Sequence, residues 1–246
     1  MRFATTALAL LGAAATTLAQ SSVAMRSMRS TSEKLVVVTT PYWNSVQGTL
    51  ARYERQNGKW QQIGDAIPIV VGKSGLAWDP PLARRYSGVF QGPIKREGDG
   101  RSPAGIFQLK NTFGFAPSLP GSDTYFSLTS TTECVDDPAS AHYAQIVDRQ
   151  KVDSADWHSS EKMREVPGYR WGAVVNYNME QTVKGDGSCI FLHEWSGPAT
   201  GTAGCTAMAA GDIEGLVEWL AGEEHGVLVQ LPQVEYERLR KRWQLP

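Results

Sequence analysis

The sequence predicts a mainly β domain with a few short helices, arranged as a β-sandwich or barrel-like sheet. Three observations carry this. Short β-branched runs recur at close spacing, from Leu35–Thr40 (LVVVTT) to Val227–Leu231. Turn formers separate them, most plainly Asn57-Gly58. The clearest helical stripe comes only after Met208, where Ile213, Leu216, Val217 and Leu220 fall at i, i+3, i+4 and i+7.

Residues 1–19 read as a secretory signal peptide. Arg2 gives a positive start, Ala4–Leu18 is rich in Ala and Leu, and small residues follow near Ala19. The stretch is short and broken by Thr, so it makes a poor membrane span, and an uncleaved anchor is the alternative. Residues 20–32 are polar and Ser-rich and read as a disordered linker. Residues 33–246 are long enough for one domain with its own core. No segment of that domain is apolar enough to cross a bilayer. The formal net charge of −1 leaves no electrostatic footprint for nucleic acid.

Within the domain, Gln47–Arg55 and Lys59–Ile63 form a hairpin about Asn57-Gly58. Ala66–Val71 reads as a further strand, with Pro68 placing it at an edge or bulge. Residues 91–109 punctuate a charged core, Lys95 to Arg101, with Gly and Pro. The spacing fits neither a calcium nor a nucleotide loop, so a turn whose charges pair locally is the physical reading. Gly105–Leu109 is a strand, and Phe113–Ser130 is loop-like. Cys134, Asp136, Asp137 and His142 lie close in sequence, but adjacent carboxylates before Pro138 read as turn and cap residues rather than a metal site. Asp156–Met163 fits a short helix capped by Asp156. Trp171–Tyr177 is a core strand ending at Asn178. Asp212 is a candidate N-cap for the stripe, Gly222 a stop, and Glu235–Trp243 a charged helix.

The chemistry concentrates at residues 188–208, SCIFLHEWSGPATGTAGCTAM. An apolar run, Cys189–Leu192, ends in His193. A Gly- and Pro-rich loop then returns through Thr202-Ala203-Gly204-Cys205-Thr206. A histidine at a strand end and a cysteine after a tight Gly turn can face each other, and an imidazole can take the proton of a thiol that is otherwise mostly protonated. Gly204 lets the backbone approach a substrate and aim N–H groups at an oxyanion. On residue type and spacing alone, two such residues are more often packing residues. Trp195 can cover the cleft or simply pack.

FLH, a short loop and TAGCTAM together resemble the catalytic stretch of the L,D-transpeptidase (YkuD-like) family, peptidoglycan cross-linking enzymes with a cysteine nucleophile. His193 matches the base, and Thr202, Gly204 and Cys205 match the Ser/Thr-x-Gly-Cys motif. Ala203 stands where the common SHGC form has a second His, and Ala207 where it has an Arg credited with holding substrate. The resemblance is thus to a divergent branch with TAGC. It extends to KREGDGRSPAG, CVDDPxSxxY and WxSxE, covering about residues 35–222. In this branch the charged segment shapes one side of the active-site region, where Arg96 or Arg101 is a candidate to meet an anionic stem peptide.

The resemblance implies a β-sandwich-like catalytic domain and an enzyme that forms 3–3 cross-links between stem peptides through a thioacyl intermediate. Cys205, His193 and Gly204 are the catalytic candidates. Thr202, Thr206, Tyr177, Asn178 and Trp195 are the candidates for substrate binding. No metal or organic cofactor is called for. Peptidoglycan stem peptides are the expected partners and carbapenem-type β-lactams the expected covalent inhibitors. The expected location is the periplasm or cell envelope of a bacterium. Hydrolysis by the same Cys/His site, as an L,D-carboxypeptidase or amidase, is the first alternative, and an inactive wall-binding module the second. Three cysteines in an exported chain point to one bridge and one free thiol. With Cys205 as nucleophile the bridge is Cys134–Cys189, and three free thiols is the other possibility.

Overall fold

The computed structural model describes residues 32–85, 90–222 and 226–246. The expected signal peptide, and the linker up to residue 31, lie outside the described residues. Thirteen strands follow in order: β1 (Lys34–Thr40), β2 (Gln47–Gln56), β3 (Lys59–Val70), β4 (Leu76–Trp78), β5 (Ser102–Gly114), β6 (Tyr125–Ser127), β7 (Thr132–Val135), β8 (Ile146–Asp148), β9 (Ser160–Lys162), β10 (Trp171–Val175), β11 (Phe191–Glu194), β12 (Thr206–Met208) and β13 (Gly226–Pro232). Among the described residues the α-helices are α1 (Pro80–Arg85), α2 (Ala210–Leu220) and α3 (Gln233–Trp243).

The main sheet runs β10-β11-β12-β3-β2-β1-β13-β5-β4, and β10 also pairs with β5. The path from β10 round to β5 therefore closes on itself, which removes the exposed edges an open sheet would leave. β1 lies antiparallel to β2 and parallel to β13. Its residues Leu35, Val36 and Val38 are fully buried.

Alternation along the strands divides the interior into two apolar clusters, because successive side chains point to opposite faces. On β10 and β11, Ala173, Val175 and Leu192 join the larger cluster, with the Ile213, Leu216, Val217 and Leu220 stripe of α2. Val174 and Phe191 join a smaller cluster on the opposite face, together with Phe113 and Cys205. The segment between β5 and β10 covers that second face. It holds the separate sheet β8-β7-β9 and supplies Leu128, Cys134, Met163 and Tyr169 to the cluster. A disulfide between Cys134 of β7 and Cys189, just before β11, ties this cap to the main sheet with 5.9 Å between Cα atoms.

Four local expectations change. The strands expected at 59–63 and 66–71 are one long strand, β3, joined to β2 through a register shift between Leu50 and Arg52. Pro68 is tolerated because β12 pairs only with Ile69 and Val70, so no ladder partner needs a Pro68 N–H on that side. The helix expected at 156–163 is absent. Ser160–Lys162 is strand β9, held to β7 in the register Cys134↔Glu161. Asp156 instead accepts the Ser140 hydroxyl at 2.5 Å and the Ala141 N–H at 2.7 Å. The stretch 113–130 contains β6, recruited alongside β5. Ala209, not Asp212, is the N-cap of α2, and Asp212 sits in its first turn, still at the favourable end of the helix dipole.

Candidate active site

β11 and β12 are parallel neighbours with Leu192 opposite Thr206 and His193 opposite Ala207. The loop between them is pinned back onto the end of β3. Thr202 N–H donates to Val71 O at 3.0 Å, and Lys73 N–H donates to Thr202 O at 2.8 Å. Gly201 is required there, since a Cβ would stand 2.5 Å from Lys73 Cα. This anchoring fixes Cys205 at the entry to β12.

Cys205 is held at both its carbonyl and its sulfur. The carbonyl accepts the Ser102 hydroxyl at 2.8 Å and the Thr202 hydroxyl at 2.6 Å. Sγ accepts Phe191 N–H at 3.2 Å and donates to Cys189 O at 3.4 Å. Cys205 is the free cysteine among the described residues and is buried. The Gly204 N–H meets Thr202 Oγ1 at 3.2 Å, so Thr202 orders the turn that carries the nucleophile candidate.

His193 lies on the same face of β11 as Phe191, and that face is shared with Cys205. Its Nδ1 contacts Glu194 O at 2.7 Å. A carbonyl can only accept, so Nδ1 carries the proton and Nε2 is left with a free lone pair. Gly168 makes room for this carbonyl: a Cβ there would come within 2.6 Å of it.

Tyr169 joins the two residues. Its ring meets the His193 ring edge-on with 5.1 Å between centroids. Its hydroxyl donates to Glu161 Oε2 at 2.6 Å, and its side chain packs in the same buried cluster as Cys205, where it acts electrostatically on the thiol.

Burial dominates the electrostatics. It pushes the Cys205 thiol well above its usual range, and the nearby Glu161 carboxylate adds to this, while the Phe191 N–H, the Tyr169 hydroxyl and Lys95 oppose it. It depresses His193 to about 4 against the favourable pull of the Glu194 carbonyl. It raises Glu161 to about 7, with Asp136 and Glu97 contributing and the Tyr169 hydroxyl working against it. At neutral pH the resting pair is a neutral thiol and a neutral imidazole, and His193 is in the form that accepts a proton.

Lys95, Glu97, Asp99 and Arg101 of the charged segment spend their charges within the fold, whereas the Arg96 side chain is exposed. Lys95 is buried and donates to Asp99 at 2.6 Å and Arg96 O at 2.7 Å. Glu97 accepts Tyr143 at 2.5 Å and Ser188 at 2.6 Å. Arg101 donates to Leu76 O at 3.0 Å and Asn44 at 2.9 Å.

Cys205, His193, Gly204 and Thr202 thus come together, with Trp195 part-exposed at the start of the loop. Tyr177 and Asn178 lie elsewhere. The Tyr177 ring is buried in the larger cluster, and its hydroxyl donates to Asp186 O at 2.5 Å. The Asn178 side chain bonds Val183 N–H and the carbonyls of Val183 and Gly187, closing the 178–187 turn. Both residues line a cleft with Asp79, Asn176, Glu180 and Asp186. Thr206 is buried and donates to Gln230 at 2.6 Å. Three residues at the site were not singled out for it from the sequence: Ser102, Glu161 and Tyr169. The WxSxE segment contains Glu161, but nothing in sequence spacing brings position 161 to position 205.

The fold and the site define a class: a closed, mostly β domain that sets a free cysteine at the entry to one strand and a histidine on its parallel neighbour. Its sequence matches the family of YkuD, the L,D-transpeptidase catalytic domain, over residues 46–230. The chain belongs to that family, whose members act on peptidoglycan. No curated protein matches the chain significantly. Among solved structures it is similar to the helical cell shape determining protein Pgp2 from Campylobacter jejuni, at 15% identity and a TM-score of 0.38, covering 80% of this chain and 48% of that one. It is also similar to Bd1075 of Bdellovibrio bacteriovorus, at 14% identity and a TM-score of 0.41, covering 88% of this chain and 55% of that one. The chain spans about half the length of these two proteins.

Proposed function

We propose that the protein is an exported peptidoglycan L,D-transpeptidase that forms 3–3 cross-links through a thioacyl-enzyme on Cys205. The observation that carries this reading is the His193 Nδ1 contact to Glu194 O at 2.7 Å, which leaves Nε2 as a base on the face shared with Cys205. Binding of the donor stem brings its scissile carbonyl to the sulfur. His193 Nε2 takes the thiol proton as sulfur attacks the carbonyl that precedes the terminal D-Ala. The oxyanion is held by backbone N–H groups of the 203–205 turn other than that of Gly204, which Thr202 Oγ1 takes. Loss of a single such donor elsewhere costs about 3 kcal/mol of transition-state stabilisation. The C–N bond breaks and D-Ala leaves with the proton from His193. An amine of a second stem then attacks the thioester, giving up its proton to His193 and releasing the thiol.

Export is supported by the Cys134–Cys189 bridge, because disulfides persist in oxidising compartments, and by the character of residues 1–19. The periplasm or cell envelope is the proposed location. Hydrolysis is the second reading, with water in place of the amine. Ala207, buried opposite His193, brings no charge to hold a substrate carboxylate.

The test is mass spectrometry of purified tetrapeptide muropeptides incubated with wild type and Cys205→Ala. Transpeptidation gives a dimer lighter than two monomers by one free D-alanine, with wild type only. Monomers that lose D-alanine without dimerising would establish the hydrolase instead. Absence of both products, and of a carbapenem adduct on the Cys205 peptide, would leave a wall-binding module.

A further inference from the structure

The cap contributes a titratable group to the nucleophile's surroundings that the acyl-transfer scheme above does not use. Glu161 comes from β9, and Tyr169 from the turn before β10. The Tyr169 side chain is nearly fully buried in the cluster that also holds Cys205, so its hydroxyl has few possible partners: it bonds Glu161 Oε2, and the Cys205 thiol is the neighbouring group it acts on. One hydroxyl carries one proton. When it donates to Glu161 it offers only lone pairs to the sulfur, and a thiolate there would face a carboxylate and an oxygen lone pair. When it donates to the sulfur, a thiolate gains a charge-assisted hydrogen bond.

We propose that Glu161 is a positioning residue for Cys205, setting through its hydrogen bond to Tyr169 whether the Tyr169 O–H is offered to the Cys205 thiolate. The protonated carboxyl donates its own O–H to Tyr169 Oη and frees the phenolic proton for sulfur. The ionised carboxylate again accepts the Tyr169 O–H hydrogen bond and adds a like charge beside the sulfur. Glu161 exchanges its proton with solvent, and the Tyr169 O–H bond stays intact throughout.

The surroundings place this exchange near neutral pH. Burial, with Asp136 and Glu97 nearby, lifts Glu161 to about 7. Glu97 is itself bonded to Tyr143 and Ser188, and Lys95 to Asp99, so these groups present a fixed field around the pair. His193 stands on the other side of the Tyr169 ring and is neutral over the same range. Glu133, the remaining acid beside β9, is bonded to Trp157 and Ser160.

The inference rests on Cys205 being the nucleophile and not on any substrate, so its test uses none. With Cys134 and Cys189 bridged, Cys205 is the free thiol that iodoacetamide reports on under non-reducing conditions. Alkylation rates are measured at pH 5.5 and pH 8 for wild type, Glu161→Gln and Tyr169→Phe. Glu161→Gln fixes a donor toward Tyr169 Oη, imitating the protonated acid at every pH. The expected result is a rate equal to wild type within twofold at pH 5.5 and about tenfold faster at pH 8, a one-unit shift in the thiol. Tyr169→Phe lacks the switched proton, so Glu161→Gln should speed alkylation at pH 8 less in the Tyr169→Phe background than in wild type, with only the like-charge effect left to remove. A Glu161→Gln to wild-type ratio that is the same at both pH values overturns the proposal, because a merely structural role moves both rates alike. If Glu161→Gln does not fold, a wild-type to Tyr169→Phe rate ratio that is the same at pH 5.5 and pH 8 overturns it in the same way. Muropeptide turnover without this pH signature would reject the switch and keep the enzyme. The signature without turnover would keep the switch and reject the substrate.

Discussion

The Ser102 hydroxyl donates to the Cys205 carbonyl at 2.8 Å and accepts the Gly72 N–H at 2.9 Å, linking three distant segments through one buried oxygen. Ser102 opens β5, and Gly72 follows β3 where the 195–205 loop docks. Replacing Ser102 with Ala leaves the Gly72 N–H without its partner in a buried site. That costs about 1–3 kcal/mol. It also frees the backbone on which Cys205 is mounted. Ser102→Ala should therefore lower the urea midpoint and slow Cys205 alkylation or turnover more than its stability loss accounts for. An unchanged midpoint would show that the Ser102 bond contributes nothing.

His193 and Glu161 give stability two opposed pH slopes. His193 is depressed from 6.5 to about 4, so the unfolded chain takes up a proton first as pH falls. Its contribution is intact above pH 6.5 and is lost between there and pH 4. Glu161 is raised from 4.5 to about 7, so its contribution is intact below pH 4.5 and is lost as pH rises through 7. Each is worth roughly 2 kcal/mol once partial exposure is allowed for. His193→Gln should gain stability relative to wild type at pH 5 but not at pH 7.5. Glu161→Gln should gain at pH 8 but not at pH 4.5. Denaturant titrations across this range check both signs.

The Cys134–Cys189 bridge closes a separation of 55 residues. In the chain-entropy account such a loop stabilises by about 4 kcal/mol. The Cys189 carbonyl is also the acceptor for the Cys205 thiol, and Cys189 holds a positive φ of 53°. Reduction, or the double variant Cys134→Ser/Cys189→Ser, should lower the unfolding midpoint and alter the Cys205 alkylation rate in protein that is still folded. A rate that stays the same in folded, reduced protein would separate the bridge from the thiol.

Much of the fold was legible because its signals are local. Leu35–Thr40, the Asn57-Gly58 hairpin, the α2 stripe and Val227–Leu231 each carry their own periodicity or turn chemistry, and each forms close to where the sequence puts it. The Asp156–Met163 segment failed as a helix because tertiary pairing with β7 outweighed a capping signal, as it readily does for short segments. At the candidate site, Cys205 and His193 stood out because FLH and TAGCTAM resemble the family's catalytic stretch; residue type and spacing alone read more readily as packing. Tyr169, Glu161 and Ser102 did not stand out, since only cap docking and sheet closure bring them to the surroundings of Cys205. Conversely, Tyr177 and Asn178 are near His193 in sequence, yet pleating and the 178–187 turn direct their side chains into other work.

The pairing of β1 with β13 brings residues 35–40 against 227–232. A chain emerging N-terminus first, from a ribosome or a translocation pore, presents the apolar β1 long before its partner exists. Until the last segment arrives, β1 has one satisfied side, against β2, and one open row of backbone donors and acceptors. Since β13 also joins β5, both halves of the ring wait for the same late arrival. Closure is thus a terminal event with a large loop-entropy barrier, and the half-made sheet is the species at risk of sticking to its own kind. A chain truncated before residue 226 would not be a smaller version of this domain but a sheet with two raw edges.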